Sequence, residues 1–340
     1  MRLHRTLMAM VLAAIVLLSW KPTMAQSGPE SYALLHLWGL STHTTVESLA
    51  MGETYVATGD PFGGNPGAVG TLRRVTAKIQ HDETSLQSGF SIHTSTVQVG
   101  LPLAMGNLVF TCGETTTGTL TTSTIFPLPF PVQLSGRDDG FSIAYGRRVG
   151  GPKFPLYAGI SLAPRLASHL ELSGPFGFSA TVDSAPVGMG GRLGMLYIGQ
   201  RWNAGLTYEY YQEKSRMRTQ GPLGTPPTLQ EAIYSSSNLR PGVQYRLFPG
   251  TLISTEWNIG DFTGPGIGLK RNSLHLGLRQ DVGVISLMAG LSDRQPTAGL
   301  VLRMKDLELS YAFQANREND IIQPRFGTSS TNSLMLSVKF

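Results

Sequence analysis

The sequence predicts an all-β protein, a transmembrane antiparallel β-barrel of about 14 strands. Three observations carry that expectation. Short segments alternate apolar and polar residues with a period of two, with turn chemistry between them. Charged residues make up 14% of the chain and hydrophobic residues 41%, whereas an ordinary soluble domain carries about 25% charge. Beyond the first 25 residues, no apolar run is long enough to cross a bilayer as a helix. Closed sheets then remain as the spanning structure, because lipid satisfies no backbone donor or acceptor.

The leader comes first along the chain. Arg2, His4 and Arg5 precede the apolar run "LMAMVLAAIVLLSW", and "TMA" precedes Gln26. Charged region, apolar region and small-residue cleavage site in that order read as a signal peptide over residues 1–25. The run falls short of the roughly 20 residues a spanning helix needs. No cysteine stands near the cleavage point, so no lipid anchor is expected on the mature N-terminus. Residues 26–85 follow as a periplasmic or plug segment, and residues 86–340 as an outer-membrane barrel. The expected location is the cell outer membrane of a Gram-negative type, reached by export.

Strand signals begin near residues 87, 106, 139, 155, 165, 192, 203, 239, 251, 273, 283, 297, 306 and 331. The alternation is clearest late in the chain. In "DLELSYAFQ" Leu307, Leu309, Tyr311 and Phe313 share one face, and Asp306, Glu308, Ser310 and Gln314 the other. "GLVLRM" ahead of it sets Leu300, Leu302 and Met304 against Val301 and Arg303, and only a tight turn around Lys305 separates the two. The same pattern runs through "LHLGLRQ" and "LRPGVQYRL". Long loops are expected at "CGETTTGTLTTSTIFPLPFPVQ", "QEKSRMRTQGPLGTPPTLQEAIYSSSN" and "QANRENDIIQPRFGTSSTN". Their alternation with tight turns suits a barrel with long outer and short periplasmic connections. In "IFPLPFPV", three prolines rule out a regular central strand and leave an apolar loop.

The chain ends in "SLMLSVKF", with Leu334, Leu336, Val338 and Phe340 on one face. A last strand closing on an aromatic residue resembles the assembly signal of bacterial outer-membrane barrels. That resemblance implies two partners, the barrel assembly machinery through Phe340 and outer-membrane lipid around the wall. Trp202, Trp257, Tyr197, Tyr208, Tyr210, Tyr211 and Tyr245 supply candidates for the aromatic girdles.

Between leader and barrel lies "GETYVATGDPFGGNPGAVG". This stretch resembles the N-terminal motif of the FadL-like and PorV-like outer-membrane proteins, in which small residues lead into "NPA" and a small apolar residue. The match falls on Asn65, Pro66, Gly67, Ala68 and Val69. "TAGLVLRMKDLELSYAF" with "SLMLSVKF" looks like the closing hairpin and last strand of the PorV-like branch. Two departures stand out: Asp60, Phe62 and two glycines replace the usual acidic pair and aromatic residue, and Gly67 replaces the usual alanine. The resemblance implies that Asp60, Gly63, Gly64, Asn65, Pro66 and Gly67 form a plug or hatch inside the barrel.

Other chemistries lack their residues. Ala68 and Val69 follow Gly67 where a phosphate-binding loop needs lysine and a hydroxyl, and "GMGGRLG" has the wrong spacing for a dinucleotide site. There is no "GxSxG", no "HExxH" and no cysteine–histidine spacing for zinc, so no enzyme, cofactor or metal is expected. His93 in "FSIHTSTV" leaves open a serine–histidine pair on the outer wall. No basic cluster interleaved with aromatics points to nucleic acid. Alternation turns Arg148, Glu209, Arg240, Arg246, Glu256, His275, Arg279, Arg303, Asp306 and Glu308 toward the lumen, as a self-satisfied network or as the lining of a solute path.

Two functions follow from the resemblance. One is hatch-gated transport of hydrophobic or small organic solutes. The other is a PorV-like structural or docking barrel for a secretion or surface-attachment system, whose loops hold a secreted protein.

Overall fold

Alternation becomes a wall in the last strands of the chain. In the computed structural model Leu307, Leu309, Tyr311 and Phe313 are exposed on the outside, while Ser310, Ala312 and Gln314 of the same strand are fully buried. Apolar residues outside and small or polar residues inside are what a strand needs when lipid covers one face and a filled lumen the other. The described residues are 45–86, 91–117, 120–122, 132–174, 179–184, 189–220, 228–264, 267–317 and 329–340. The leader at 1–25 and the apolar stretch "IFPLPFP" lie outside them.

Two short helices, α1 (Val46–Ala50) and α2 (Pro66–Val69), precede the strands. The strands are β1 (Thr76–Leu86), β2 (Ser91–Leu101), β3 (Asn107–Thr117), β4 (Leu120–Thr122), β5 (Val132–Arg148), β6 (Leu156–Ser173), β7 (Ser179–Ser184) and β8 (Met189–Ile198). They continue as β9 (Trp202–Gln220), β10 (Thr228–Phe248), β11 (Thr251–Gly264), β12 (Ile267–Val282), β13 (Ile285–Ser292), β14 (Gln295–Met304), β15 (Leu307–Arg317) and β16 (Ser329–Lys339). Neighbours pair antiparallel, and β1 closes the ring on β16 from Thr76 opposite Lys339 to Leu86 opposite Ser329. β7 and β8 share one position between β6 and β9, and β4 only extends the edge of β5. The wall therefore has 14 positions.

At one end the connections are tight, with Gly250 and Gly283 at positive φ in their hairpins. There Phe154, Tyr197 and Trp202 form a run of rings 4.9 and 4.7 Å apart, one arc of an aromatic girdle. At the other end the wall is uneven. β9 and β10 have 19 and 21 residues. β13 and β14 have only 8 and 10, joined through Asp293 and Arg294, both at positive φ as a type I′ turn requires.

The structure corrects four expectations. The wall starts at Thr76, within the stretch assigned to the N-terminal segment. β1 carries only Ala77 and Ile79 as apolar residues on its outward face, so its alternation is faint. The starts near 155 and 165 fall in the single strand β6, whose pattern is interrupted by Pro164. Much of "QEKSRMRTQGPLGTPPTLQEAIYSSSN" forms β9 and β10 in register, from Thr228 opposite Thr219 onward; both strand faces are polar there, so no alternation marks them. Tyr211 is no girdle residue: it shares the lumen side with Thr207 and Glu209, and its ring lies beside Gly190.

Candidate functional site

Residues 45–75 run inside the barrel and supply much of its buried apolar surface. Val46, Leu49, Ala50 and Met51 pack against Met288, Val301, Ala312 and Met335. Phe62, Val69 and Leu72 pack on Val109, and Ala68 on Tyr157 and Leu196. This inner segment leaves the lumen at Val75, whose carbonyl accepts from the backbone N–H of Phe340 at 2.9 Å.

The Asn–Pro motif makes the closest approach to the wall. Asn65 caps α2, its Oδ1 accepting from Gly67 N at 2.9 Å, and Pro66 occupies the first helical turn, where a missing N–H costs nothing. Its Nδ2 donates to the carbonyls of Val56 and, across to β8, Met195, at 2.5 and 3.0 Å. The wall meets the motif with glycine. A Cβ at Gly146 or Gly159 would lie 2.4 or 2.1 Å from the Pro66 carbonyl oxygen, and one at Gly194 would lie 2.2 Å from Asn65 Oδ1. A second bare patch, Gly277, Gly290 and Gly299 on β12 to β14, receives Ala50, Met51 and Gly52. The departure at Gly67 fits this approach, since a Cβ there would lie 3.1 Å from three backbone atoms of β8.

Seven of the expected lumen residues gather around the inner segment in four groups. Glu256, almost fully buried, accepts at Oε2 from Tyr55 N and Val56 N, both at 2.9 Å, and at Oε1 from Arg240 at 3.1 Å. The Arg240 guanidinium lies 5.0 Å from the centre of the Tyr55 ring. Glu209 accepts from Arg192 at 2.9 Å, and Arg192 donates to the Gly64 carbonyl at 2.8 Å. Near the tight-turn end Glu47 of α1 accepts from Arg303 at 2.9 Å and Arg279 at 3.4 Å, and Arg303 also donates to Glu308 at 2.9 Å. Burial pushes the Glu47 carboxyl above its ordinary range, Glu308 adds to the rise, and the nearby guanidinium of Arg303 opposes it. His275 places Nδ1 2.9 Å from the carbonyl oxygen of Gly52, with Ser273 beside Nε2.

Three expected residues stand apart. Arg148 donates to Gly151 of its own turn at 2.8 Å, Arg246 is exposed, and Asp306 lies at the barrel mouth, where it accepts from Arg74 at 2.6 Å. In the motif, Asp60 accepts from Phe62 N at 3.0 Å, while Gly63 packs on Asp60 and Gly64, at positive φ, on Tyr55 and Arg192. Sequence reading missed Glu47, Tyr55, Arg192 and Asn107; Asn107 donates to the carbonyls of Val69 and Leu72 at 2.9 and 3.0 Å. Polar residues at inward positions next to glycines, as in "GGRLG", carry the available signal.

On the outer wall His81 lies 3.0 Å from Ser95 Oγ and His93 3.1 Å from Ser91 Oγ, with the two rings stacked at 5.9 Å. The strands bearing them pair on both edges, so their backbone N–H groups serve the sheet. Cys112 is exposed.

A closed antiparallel β-barrel with an apolar outer wall and an N-terminal segment folded into its lumen is the class that fold and site define. The structure is similar to the toluene transporter TbuX of Ralstonia pickettii, with a TM-score of 0.55, 13% identity, and coverage of 87% of this chain and 98% of that one. It is also similar to the toluene transporter TodX of Pseudomonas putida, with a TM-score of 0.50, 13% identity, and coverage of 87% and 96%. The FadL-like resemblance read from the motif is thus met at the level of the fold. No protein-family profile matches the chain. No curated protein matches it either.

Proposed function

We propose that the protein passes small hydrophobic solutes through an outer membrane, with residues 45–75 as the hatch. The observation that carries this reading is how the inner segment is held. Besides three apolar patches, it is fastened by scattered polar contacts, through Asn65, Glu256, Arg192, Asn107 and Glu47 among others, and it lies against wall sites kept bare by glycine. Contacts of this kind can be given up one after another. Similarity of fold to two toluene transporters supports the same reading. The lumen polar residues then serve as the hatch's fasteners.

The test exploits Thr54 Oγ1 and Ser254 Oγ, which lie 2.7 Å apart on the inner segment and β11. In a Cys112→Ser background, T54C with S254C forms a disulfide that ties the segment to the wall. Uptake of radiolabelled toluene by cells carrying the protein should fall on oxidation and recover on reduction. Uptake indifferent to the lock would refute the hatch.

A second reading, a docking barrel for a secreted protein, draws on the uneven rim, tall at β9 and β10 and low at the β13–β14 turn. Native mass spectrometry in mild detergent separates the two: a retained apolar small molecule supports transport, and a stoichiometric protein companion supports docking.

A further inference from the structure

Below the inner segment, at the tight-turn end, a cavity of about 550 Å³ lies between α1, the turn at 58–62 and the wall. It opens where Arg73 and Arg74 are exposed and the Lys339 side chain is 43% exposed. Its apolar lining comes from Met51, Pro61, Phe62, Leu72 and Leu252. Charge on the lining is unequal. Six basic residues (Arg73, Arg74, Lys78, Arg279, Arg303 and Lys339) face three acidic ones (Glu47, Asp60 and Glu308).

The acids do not neutralise the cations evenly. Arg303 takes Glu47 and Glu308 at 2.9 Å, Arg279 takes Asp281 at 2.7 Å and Glu47 at 3.4 Å, and Arg74 takes Asp306 at 2.6 Å. Lys339 is left 3.9 Å from Glu308, and Lys78 3.4 Å from Asp60. Lys78 is also nearly buried, with a side chain 6% exposed and its Nζ 4.5 Å over the Phe62 ring. The two lysines are neighbours across the β1–β16 seam, where Lys78 pairs with Ser337 and Thr76 with Lys339. A hydroxyl completes the set: Ser48 lines the same cavity, is 3% exposed, and its Oγ has no hydrogen-bond partner. A buried hydroxyl without a partner is costly unless something fills the place.

We infer that this cavity binds a compact organic anion, a carboxylate on an aromatic or branched apolar body. The carboxylate takes charge-assisted hydrogen bonds from Lys78 and Lys339 and the hydroxyl proton of Ser48, while the apolar body lies against Phe62, Leu72 and Met51. The volume falls within the range of small-molecule sites. Binding here needs no passage through the lumen, so the site stands even if the hatch never opens.

The experiment compares 2-naphthoate with its neutral isostere 2-naphthamide, titrated into the full mature barrel in non-ionic detergent and followed by naphthalene fluorescence. The acid should bind saturably and the amide about tenfold more weakly or worse, a gap of the size expected when a charge-assisted bond is lost. Lys78→Gln and Lys339→Gln should each bring the acid toward the amide, and added salt should weaken the acid alone. Equal binding of acid and amide, or no saturation by the acid at millimolar concentration, overturns the inference. The acid–amide comparison uses the unaltered protein, so it decides the matter even if a lysine variant fails to fold. Acid binding should also persist in the disulfide-locked barrel, and its loss there would place the anion in the transport path instead.

Discussion

Asn65 on the inner segment and Gly194 on β8 occupy adjoining space so closely that a Cβ on Gly194 would stand 2.2 Å from Asn65 Oδ1. That oxygen already accepts from Gly67 N, and the amide nitrogen of the same side chain bonds Met195 beside Gly194. The asparagine therefore serves as cap and anchor at once, and the wall has yielded its side chain to make room.

Gly194→Ala should push the motif off the wall while the barrel stays closed. Overpacking of this kind costs about 1–3 kcal/mol. The readout is limited proteolysis of the inner segment, which should speed up in the variant while heat-modifiable mobility on gels persists. Unchanged protection would show that the approach at Gly194 is not tight in solution.

Glu256→Ala removes the acceptor for two backbone N–H groups and the partner of Arg240, whose side chain is 7% exposed. Breaking a buried pair by removing one member typically costs about 3–5 kcal/mol. Thermal unfolding in detergent should move down by several degrees, and conductance in planar bilayers should rise as the segment loosens. Wild-type conductance together with wild-type stability would contradict the role assigned to Glu256.

Deleting residues 59–70 should have the same electrical effect without removing a wall residue. The loop from Gly59 to Gly70 holds Asn65 and α2, so a barrel lacking it should conduct more. An unaltered current would mean that another segment closes the lumen.

The docking of α1 should depend on pH through Glu47. Its carboxyl is raised in the docked state relative to its ordinary value of 4.5, chiefly by burial. A raised value means that undocking releases a proton. The contribution to docking is therefore full below pH 4.5 and is lost as pH rises through the docked value. Protease protection of residues near α1 should decline from acid toward neutral pH, and Glu47→Gln should flatten that slope. A slope of opposite sign would mean that the Arg303 and Arg279 contacts outweigh burial.

Removal of Phe340 should impair insertion into the outer membrane. The residue is 72% exposed and its backbone N–H bonds Val75 at the mouth, so little folded stability depends on it. Reduced membrane yield with normal thermal stability of the inserted fraction is the expected pattern. Normal insertion would remove the assembly role.

The wall was legible where membrane faces it. Along β11 to β16 the outer residues are mostly apolar and the inner ones mostly polar or small, apart from Met288, Val301 and Met335 under α1, so period two shows through. It was illegible where that contrast fails: in β1, whose inward Lys78, Gln80 and Asp82 face an outward His81 and Glu83, and in the tall ends of β9 and β10. The site was legible in its motif and in the inward charges that alternation exposes, but their partners on the inner segment were not. Glu47 and Tyr55 carry no periodic mark, and a glycine such as Gly146 or Gly159 looks like weak strand sequence until the carbonyl lying against it is known.

The seam between β1 and β16 joins the first wall strand to the last residues of the chain, Thr76 opposite Lys339. Few contacts could be more distant in sequence, and loop closure of that length must be met before any pairing repays it. The ring therefore cannot shut until β16 reaches β1, whereas the inner segment precedes every strand of the wall. Its apolar residues must be sheltered throughout that interval.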